Sequence, residues 1–264
     1  MRLQKLFKPD LLRAYRDRIH AAVAAVDGKA DREEPMDETW KQVWERKGTA
    51  VADRRSFTAA DLFAADGFDS ALGQTTAASR RHITEVVCRG LGVAPGRRIL
   101  EVGCGAGAVV SLLQSTGATL CGTDYSAPHI AIARRALPGI EFHVAEANRL
   151  PFAAASFDGV LSHGVFLYFS DLDYADAVLR EMWRVALPHA SLLVMDVPDA
   201  ALRGECEAAR RAAGASLSPP HLYYPHSFFH EFARCHALEA EIFQQDVPDY
   251  GNARFRYNVL LRSA

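Results

Sequence analysis

Ile99–Val110 reads ILEVGCGAGAVV: an apolar run holding one acidic residue, a turn with glycine at 103, 105 and 107, and a renewed apolar stretch. Such a run predicts a buried strand that turns directly into a helix. Glycines in the turn let a ligand touch backbone, because no Cβ stands in the way. Outward from this segment, short apolar runs alternate with helical stretches, as a parallel sheet with crossover helices requires. Strands are expected near 98–102, 118–123, 140–145, 157–161 and 191–196, with helices in the gaps. The clearest helix runs over 171–187, closed by Pro188. Beyond Pro198 come helical stretches at 199–214 and 226–236 around a Pro- and aromatic-rich loop. Two final strands, 238–247 and 254–262, are joined by PDYGNA and predict an antiparallel pair. Upstream, helices are expected over 9–27, around Trp40 and Trp44, and over 75–91. The predicted division is a helical N-terminal extension, 1–90, and an α/β domain, 91–264, with an insertion at 199–236.

Length and composition narrow the field. A chain of 264 residues, 49% hydrophobic and 23% charged, has the proportions of a globular protein with a sizeable core. Its 30 Lys and Arg against 32 Asp and Glu give a net charge of −2, and the basic pairs are scattered, which argues against a nucleic-acid partner. Five cysteines, without a CxxC pair, predict neither a disulfide framework nor a zinc site, and no carboxylate cluster for magnesium is identified; no metal is expected. Lys8, Asp10, Arg13, Arg16 and Asp17 interrupt any apolar leader, and no 18-residue apolar stretch follows, so the expectation is a cytoplasmic protein without a membrane partner.

Two ligands suit the glycine turn. GCGAGA also satisfies a GxGxxA dinucleotide fingerprint through Gly103, Gly105 and Ala108. Charge separates them: a dinucleotide brings an anionic pyrophosphate, whereas S-adenosylmethionine brings a sulfonium and an ammonium offset by one carboxylate. Glu101, two residues before the first glycine, repels the former and suits the latter, unless it caps nearby amides. Asp124, 21 residues after Gly103, can accept from ribose hydroxyls of either ligand, or cap the next helix, a role Ser126 fills better. Glu146 can face an adenine amino group or stand as a solvated loop acid.

The order EVGCGAG, GTDYS, VAEANRLPFAAASFDGVLSHGVFLYF and LREMWRVALPHASLLVMD resembles the class I S-adenosylmethionine-dependent methyltransferases over residues 97–198. The elements LPF, four residues, FD, and E, two residues, RV are more specific than the glycines. The resemblance implies a Rossmann-like seven-stranded sheet, mostly parallel, with a C-terminal antiparallel hairpin, and S-adenosylmethionine as cofactor. It implies that Glu101, Gly103, Gly105 and Gly107 line the methionine and ribose, that Asp124 binds the ribose with Tyr125 beside the adenine, that Glu146 and Ala147 face the adenine edge, and that Ser162 and His163 close the pocket. Glu146 departs from the family's shorter Asp, and Pro188–Ser191 replaces a Pro-Gly-Gly turn.

The acceptor is expected to be a small molecule, methylated on oxygen or nitrogen, such as a natural-product or sugar-like intermediate. The stretch after the fourth strand reads SHGV, without the Pro-Pro-aromatic element of base-amino methylation, and no Pro-Cys nucleophile occurs. His163, beyond the carboxyl end of the fourth strand, is the candidate base, or else a histidine bonded to backbone; Asp196 is a second candidate. Tyr223, Tyr224 and His226, in the connection after the fifth strand, are the candidate acceptor contacts. Trp40 and Trp44 are read as helix packing or a lid. A nicotinamide-dependent oxidoreductase and a cofactor-sensing module are the competing functions.

Overall fold

In the computed structural model, Ile99 packs on one face of a sheet and its neighbours Leu100 and Val102 on the other, so a single strand feeds two cores. The structure describes Asp17 and residues 39–51, 56–68, 72–217 and 219–263; apart from Asp17, which is helical, the helix expected over 9–27 lies outside them. The helices are α1 (Trp40–Val51), α2 (Ala59–Ala65), α3 (Ala77–Leu91), α4 (Ala108–Leu112), α5 (Ala127–Ala136), α6 (Leu172–Val185), α7 (Arg203–Ala212) and α8 (His226–His236). The strands are β1 (Arg98–Val102), β2 (Thr119–Asp124), β3 (Glu141–Val144), β4 (Phe157–His163), β5 (Ala186–Pro198), β6 (Leu238–Gln244) and β7 (Arg256–Ser263).

They form one seven-stranded sheet in the order β3-β2-β1-β4-β5-β7-β6. Strands β1 to β5 pair in parallel; β7 runs antiparallel to both β5 and β6. Strand order reverses between β1 and β4, which opens a crevice at the carboxyl ends of those strands. Helices cover both faces. Alternate residues of β5 again serve opposite cores: Leu192 and Val194 meet α6 and α8, while Leu193 and Met195 meet α3 to α5. Burial on both faces explains the near-continuous apolar runs.

Two sequence elements hold the loop before β4. Glu181 on α6 accepts the Leu150 amide at 3.0 Å, and Arg184 donates to the carbonyls of Phe152 at 2.9 Å and Leu150 at 3.2 Å. That clamp is the physical content of the LPF and E-x-x-R-V pattern. It also ends α6 earlier than Leu187: the Ala155 and Ser156 amides take the carbonyls of Arg184 and Val185, and Ala186 is already extended and paired with Phe157. The expected Pro188–Ser191 turn is accordingly part of a longer β5. Among the described residues no helix is long and apolar enough to cross a membrane.

Candidate functional site

The turn after β1 is built by backbone geometry that glycine alone adopts easily. Gly103 has φ +76° and Gly105 φ +52°, and a Cβ on Gly103 would stand 2.5 Å from Val165. Gly103, Cys104 and Gly105 line a cavity of about 450 Å³ at the β1/β4 crevice, a volume in the range of cofactor sites. Gly107 is not in that lining. Its φ of +87° starts α4, and a Cβ there would press on Leu137 of the α5–β3 turn at 2.8 Å, so its place in the turn is set by packing.

Three carboxyl groups converge on the cavity. Glu101, 4% exposed, accepts the Val110 amide at 3.2 Å. Asp124 ends β2 and accepts from the Gly105 amide at 3.0 Å and the Ser126 amide at 2.8 Å. The third, Asp66 after α2, accepts from the amides of Ala106 at 2.6 Å and Ala108 at 3.1 Å. Enclosure pushes the Asp66 carboxyl up to about 8, with a further push from Asp124, against the pull of the two amides. Burial holds Glu101 well above the usual carboxylate range, and the neighbouring Asp66 and Asp124 add repulsion. Asp124 is raised by burial as well. A site that crowds three acids together is relieved by a cationic ligand and repels a pyrophosphate.

The remaining expected cofactor contacts divide. Tyr125, Glu146, Ala147 and His163 line the cavity. Glu146 reaches Lys41 of α1 at 3.0 Å and the Tyr174 hydroxyl at 3.3 Å. Ser162 does not line it: the residue is fully buried and its Oγ has no hydrogen-bond partner among the described residues. His163, 6% exposed, has its ring 5.4 Å from that of Phe68. Burial lowers its pKa and so favours the neutral imidazole, against the charge of Asp196, which raises it.

A second cavity of about 360 Å³ adjoins the first, sharing Trp40, Trp44, Asp66, Phe68, Gly164 and Tyr168. Asp196, Arg210, His221 and Arg256 line it on the far side. Asp196 sits at the end of β5 with φ +62°, a left-handed conformation held by Gln245 at 2.6 Å and Tyr250 at 3.0 Å. The Trp40 indole donates to the Pro220 carbonyl at 2.8 Å and its ring lies 4.6 Å from that of Tyr168, so α1 walls both cavities.

The expected acceptor contacts fall elsewhere. Tyr223, Tyr224 and His226 line neither cavity. Tyr224 is wholly buried and donates to the Phe166 carbonyl at 2.8 Å. Tyr223 packs with Ala200, Cys206 and Phe255. His226 lies 3.4 Å from Asp199 and edges onto Tyr257. The same connection instead presents His221, one turn of chain earlier.

Asp66, His129, Arg210, His221 and Arg256 were not among the site residues read from the sequence. His129 bonds Ser126 Oγ at 2.8 Å and the Ala65 carbonyl at 3.2 Å, which ties the end of α2 to the pocket wall. On the sheet edge, Cys121, Glu141 and His143 come within 4.8 Å of one another; Glu141 there already faces Arg98 and His143.

The fold is that of the class I S-adenosylmethionine-dependent methyltransferases, and the acids of the pocket suit S-adenosylmethionine as cofactor. Residues 100–194 match the family model described as a methyltransferase domain. The chain is 34% identical over 122 residues to the methyltransferase GfsG of Streptomyces halstedii, covering 44% of this chain and 43% of that protein. It is 36% identical over 107 residues to a demethylmenaquinone methyltransferase of Beutenbergia cavernae, covering 40% and 43%. A probable tRNA methyltransferase 9B of Bos taurus matches at 37% over 100 residues, covering 38% and 21%. The chain thus spans less than half the length of these relatives. A solved S-adenosylmethionine-dependent methyltransferase from Methanosarcina mazei shares the fold, with TM-score 0.54 and 18% identity over 67% of this chain and 96% of that one.

Proposed function

We propose that this chain transfers a methyl group from S-adenosylmethionine to an oxygen or nitrogen atom of a small molecule, such as a natural-product or sugar-like intermediate. The observation that carries this reading is the convergence of Asp66, Glu101 and Asp124 on one cavity beside the glycine turn. When bound, the cofactor supplies a methyl group on a sulfonium, a leaving group that needs no further activation. Glu101 and Asp66 offset the cationic charge, Asp124 accepts from the ribose, and Tyr125, Glu146 and Ala147 flank the base. Gly103 and Gly105 let the ligand lie against backbone. The acceptor enters the second cavity, with Trp40, Trp44 and Tyr168 excluding water between the two, and alignment supplies most of the acceleration. His163, held neutral by burial, takes the acceptor's proton where one must leave. His221 replaces Tyr223, Tyr224 and His226 as the acceptor contact. The walled acceptor cavity and the net charge of −2 favour a small molecule over tRNA. Its five free cysteines suit a reducing cytoplasm.

The test incubates the protein with methyl-labelled S-adenosylmethionine and either a panel of small acceptors or bulk tRNA. Label on a small molecule, with S-adenosylhomocysteine formed in equal amount, is expected. Label on tRNA alone would replace the acceptor class, and cofactor binding without transfer to any acceptor would favour a sensing module.

A further inference from the structure

Arg256 opens β7 inside the protein, its side chain 1% exposed, in the wall of the second cavity. A buried guanidinium is costly unless its N–H groups are bonded. Here Nε and Nη1 have no hydrogen-bond partner among the described residues. The nearest acid, Asp196, stands 3.7 Å from Nε, beyond hydrogen-bond reach, while Gln245 and Tyr250 each donate to one of its oxygens. Asp196 therefore balances the charge and leaves the donors unspent. Arg210, 9% exposed, lines the same cavity and gives one donor to the Ser216 carbonyl at 2.8 Å. His221 joins them, with an unpartnered Nδ1 and a pKa held well below its usual value by burial and by both arginines. The rings of Trp40, Trp44, Tyr168 and Phe68 line the same cavity, those of Trp40 and Tyr168 packed against His221 at 5.3 and 5.6 Å.

Resting on the methyltransferase reading above, we propose that the acceptor is an aromatic carboxylic acid whose carboxylate docks on Arg256, beside Arg210 and His221, with its ring against the tryptophan wall. A guanidinium edge matches a carboxylate in two parallel bonds, and the unpartnered Nε and Nη1 each share such an edge with Nη2. With Asp66 ionised beside a bound cationic cofactor, Lys47, Arg210 and Arg256 against Asp66 and Asp196 leave about one positive charge in the lining, which suits a singly charged carboxylate better than a phosphate dianion. A volume near 360 Å³ admits a body of one or two rings.

The experiment is calorimetry on the full chain saturated with S-adenosylhomocysteine, titrated with 2-naphthoate, 2-naphthamide and 2-naphthyl phosphate. The acid is expected to bind at least tenfold more tightly than the amide. That preference is expected to collapse in Arg256→Gln and in the less buried Arg210→Gln, with the affinity for S-adenosylhomocysteine unchanged as the control for folding. Equal affinity for acid and amide, or an intact preference in both variants, would overturn the proposal while leaving the methyltransferase reading standing. Tighter binding of the phosphate would overturn the choice of a carboxylate. Absence of S-adenosylhomocysteine binding to the unmodified chain would instead remove the reading on which the proposal rests.

Discussion

Asp66 Oδ1 accepts the Ala106 amide at 2.6 Å, across forty residues of chain, and so a carboxyl from the end of α2 closes the glycine turn of the sheet. Its enclosure raises the carboxyl from 3.8 to about 8. Between those values the folded protein keeps a proton that the unfolded chain has lost, so stability of the ligand-free protein falls as pH rises through that window. Glu101 and Asp124, raised by the same burial, act in the same direction. A cationic ligand favours the ionised acids, and its binding releases protons. The midpoint of thermal unfolding is expected to drop from pH 5 to pH 8 without ligand, and to drop less steeply in Asp66→Asn. Calorimetry of S-adenosylmethionine binding in buffers of different ionisation enthalpy is expected to show proton release; none would mean that the acids are ionised beforehand.

Gly105→Ala introduces a Cβ against the Asp66 carboxyl at a backbone φ of +52°. The left-handed backbone alone costs about 1–2 kcal/mol. Relief requires the turn or Asp66 to move, and both line the cofactor cavity. Denaturant titration is expected to show that loss, and the affinity for S-adenosylhomocysteine is expected to fall about tenfold or more, as ~1.4 kcal/mol implies. Unchanged affinity would detach the turn from cofactor binding.

The joint replacement Glu101→Gln and Asp124→Asn removes two charges from the cavity while keeping side-chain volume. Hydrogen bonds to a charged group contribute about 1.5–3 kcal/mol each, so the affinity for S-adenosylmethionine is expected to weaken by roughly a hundredfold or more. NAD is the informative second titrant. An affinity for NAD in the unmodified protein exceeding that for S-adenosylmethionine would revive the dinucleotide reading of the turn.

What the sequence discloses follows from the range of the interaction that matters. The β1 turn, Asp124 and the clamp between Glu181 and the LPF loop are written in local spacing, because strand, turn and crossover helix are each consecutive in the chain. Asp66 carries no such mark: in sequence it is one of several acids in the stretch ADLFAADGFD, and only the packing of α2 on α4 brings it to the loop. Arg256 reads as one of two arginines flanking Phe255, and its burial depends on the hairpin closing the sheet. The opposite error arises at Tyr223 and Tyr224. Aromatic residues on an acceptor-side loop look like ligand contacts, yet here their rings fill the space beneath α7 and α8.

His163→Ala separates binding from proton removal. The residue lines the first cavity, and among the described residues no charged partner holds it within hydrogen-bond distance. General base catalysis contributes about 10²–10⁴-fold where a proton must leave. A fall of that size in kcat is expected with an acceptor protonated at the methylated atom, with affinity for S-adenosylhomocysteine within threefold of the original. The acid limb of the kcat profile is expected to lie below the usual histidine range, since burial lowers the pKa. An unchanged kcat would leave alignment as the whole of the chemistry.

Tyr224→Phe tests the reassignment of the acceptor wall. The Tyr224 hydroxyl donates to the Phe166 carbonyl at 2.8 Å, and Tyr257 donates back to the Tyr224 carbonyl at 3.0 Å, all in the core beneath α8. Removing the hydroxyl takes one of two donors from the Phe166 carbonyl, the Phe169 amide at 3.3 Å remaining, a loss of about 0.5–1.5 kcal/mol. Chemical denaturation is expected to register it, whereas the acceptor KM is expected to stay within twofold. His221→Asn is expected to do the reverse, shifting the acceptor KM with little change in stability, because its ring lines the second cavity and its Nδ1 has no hydrogen-bond partner among the described residues. A raised acceptor KM in Tyr224→Phe, with stability unchanged, would return the aromatic loop to the acceptor site and place the cavity behind Arg256 outside the reaction.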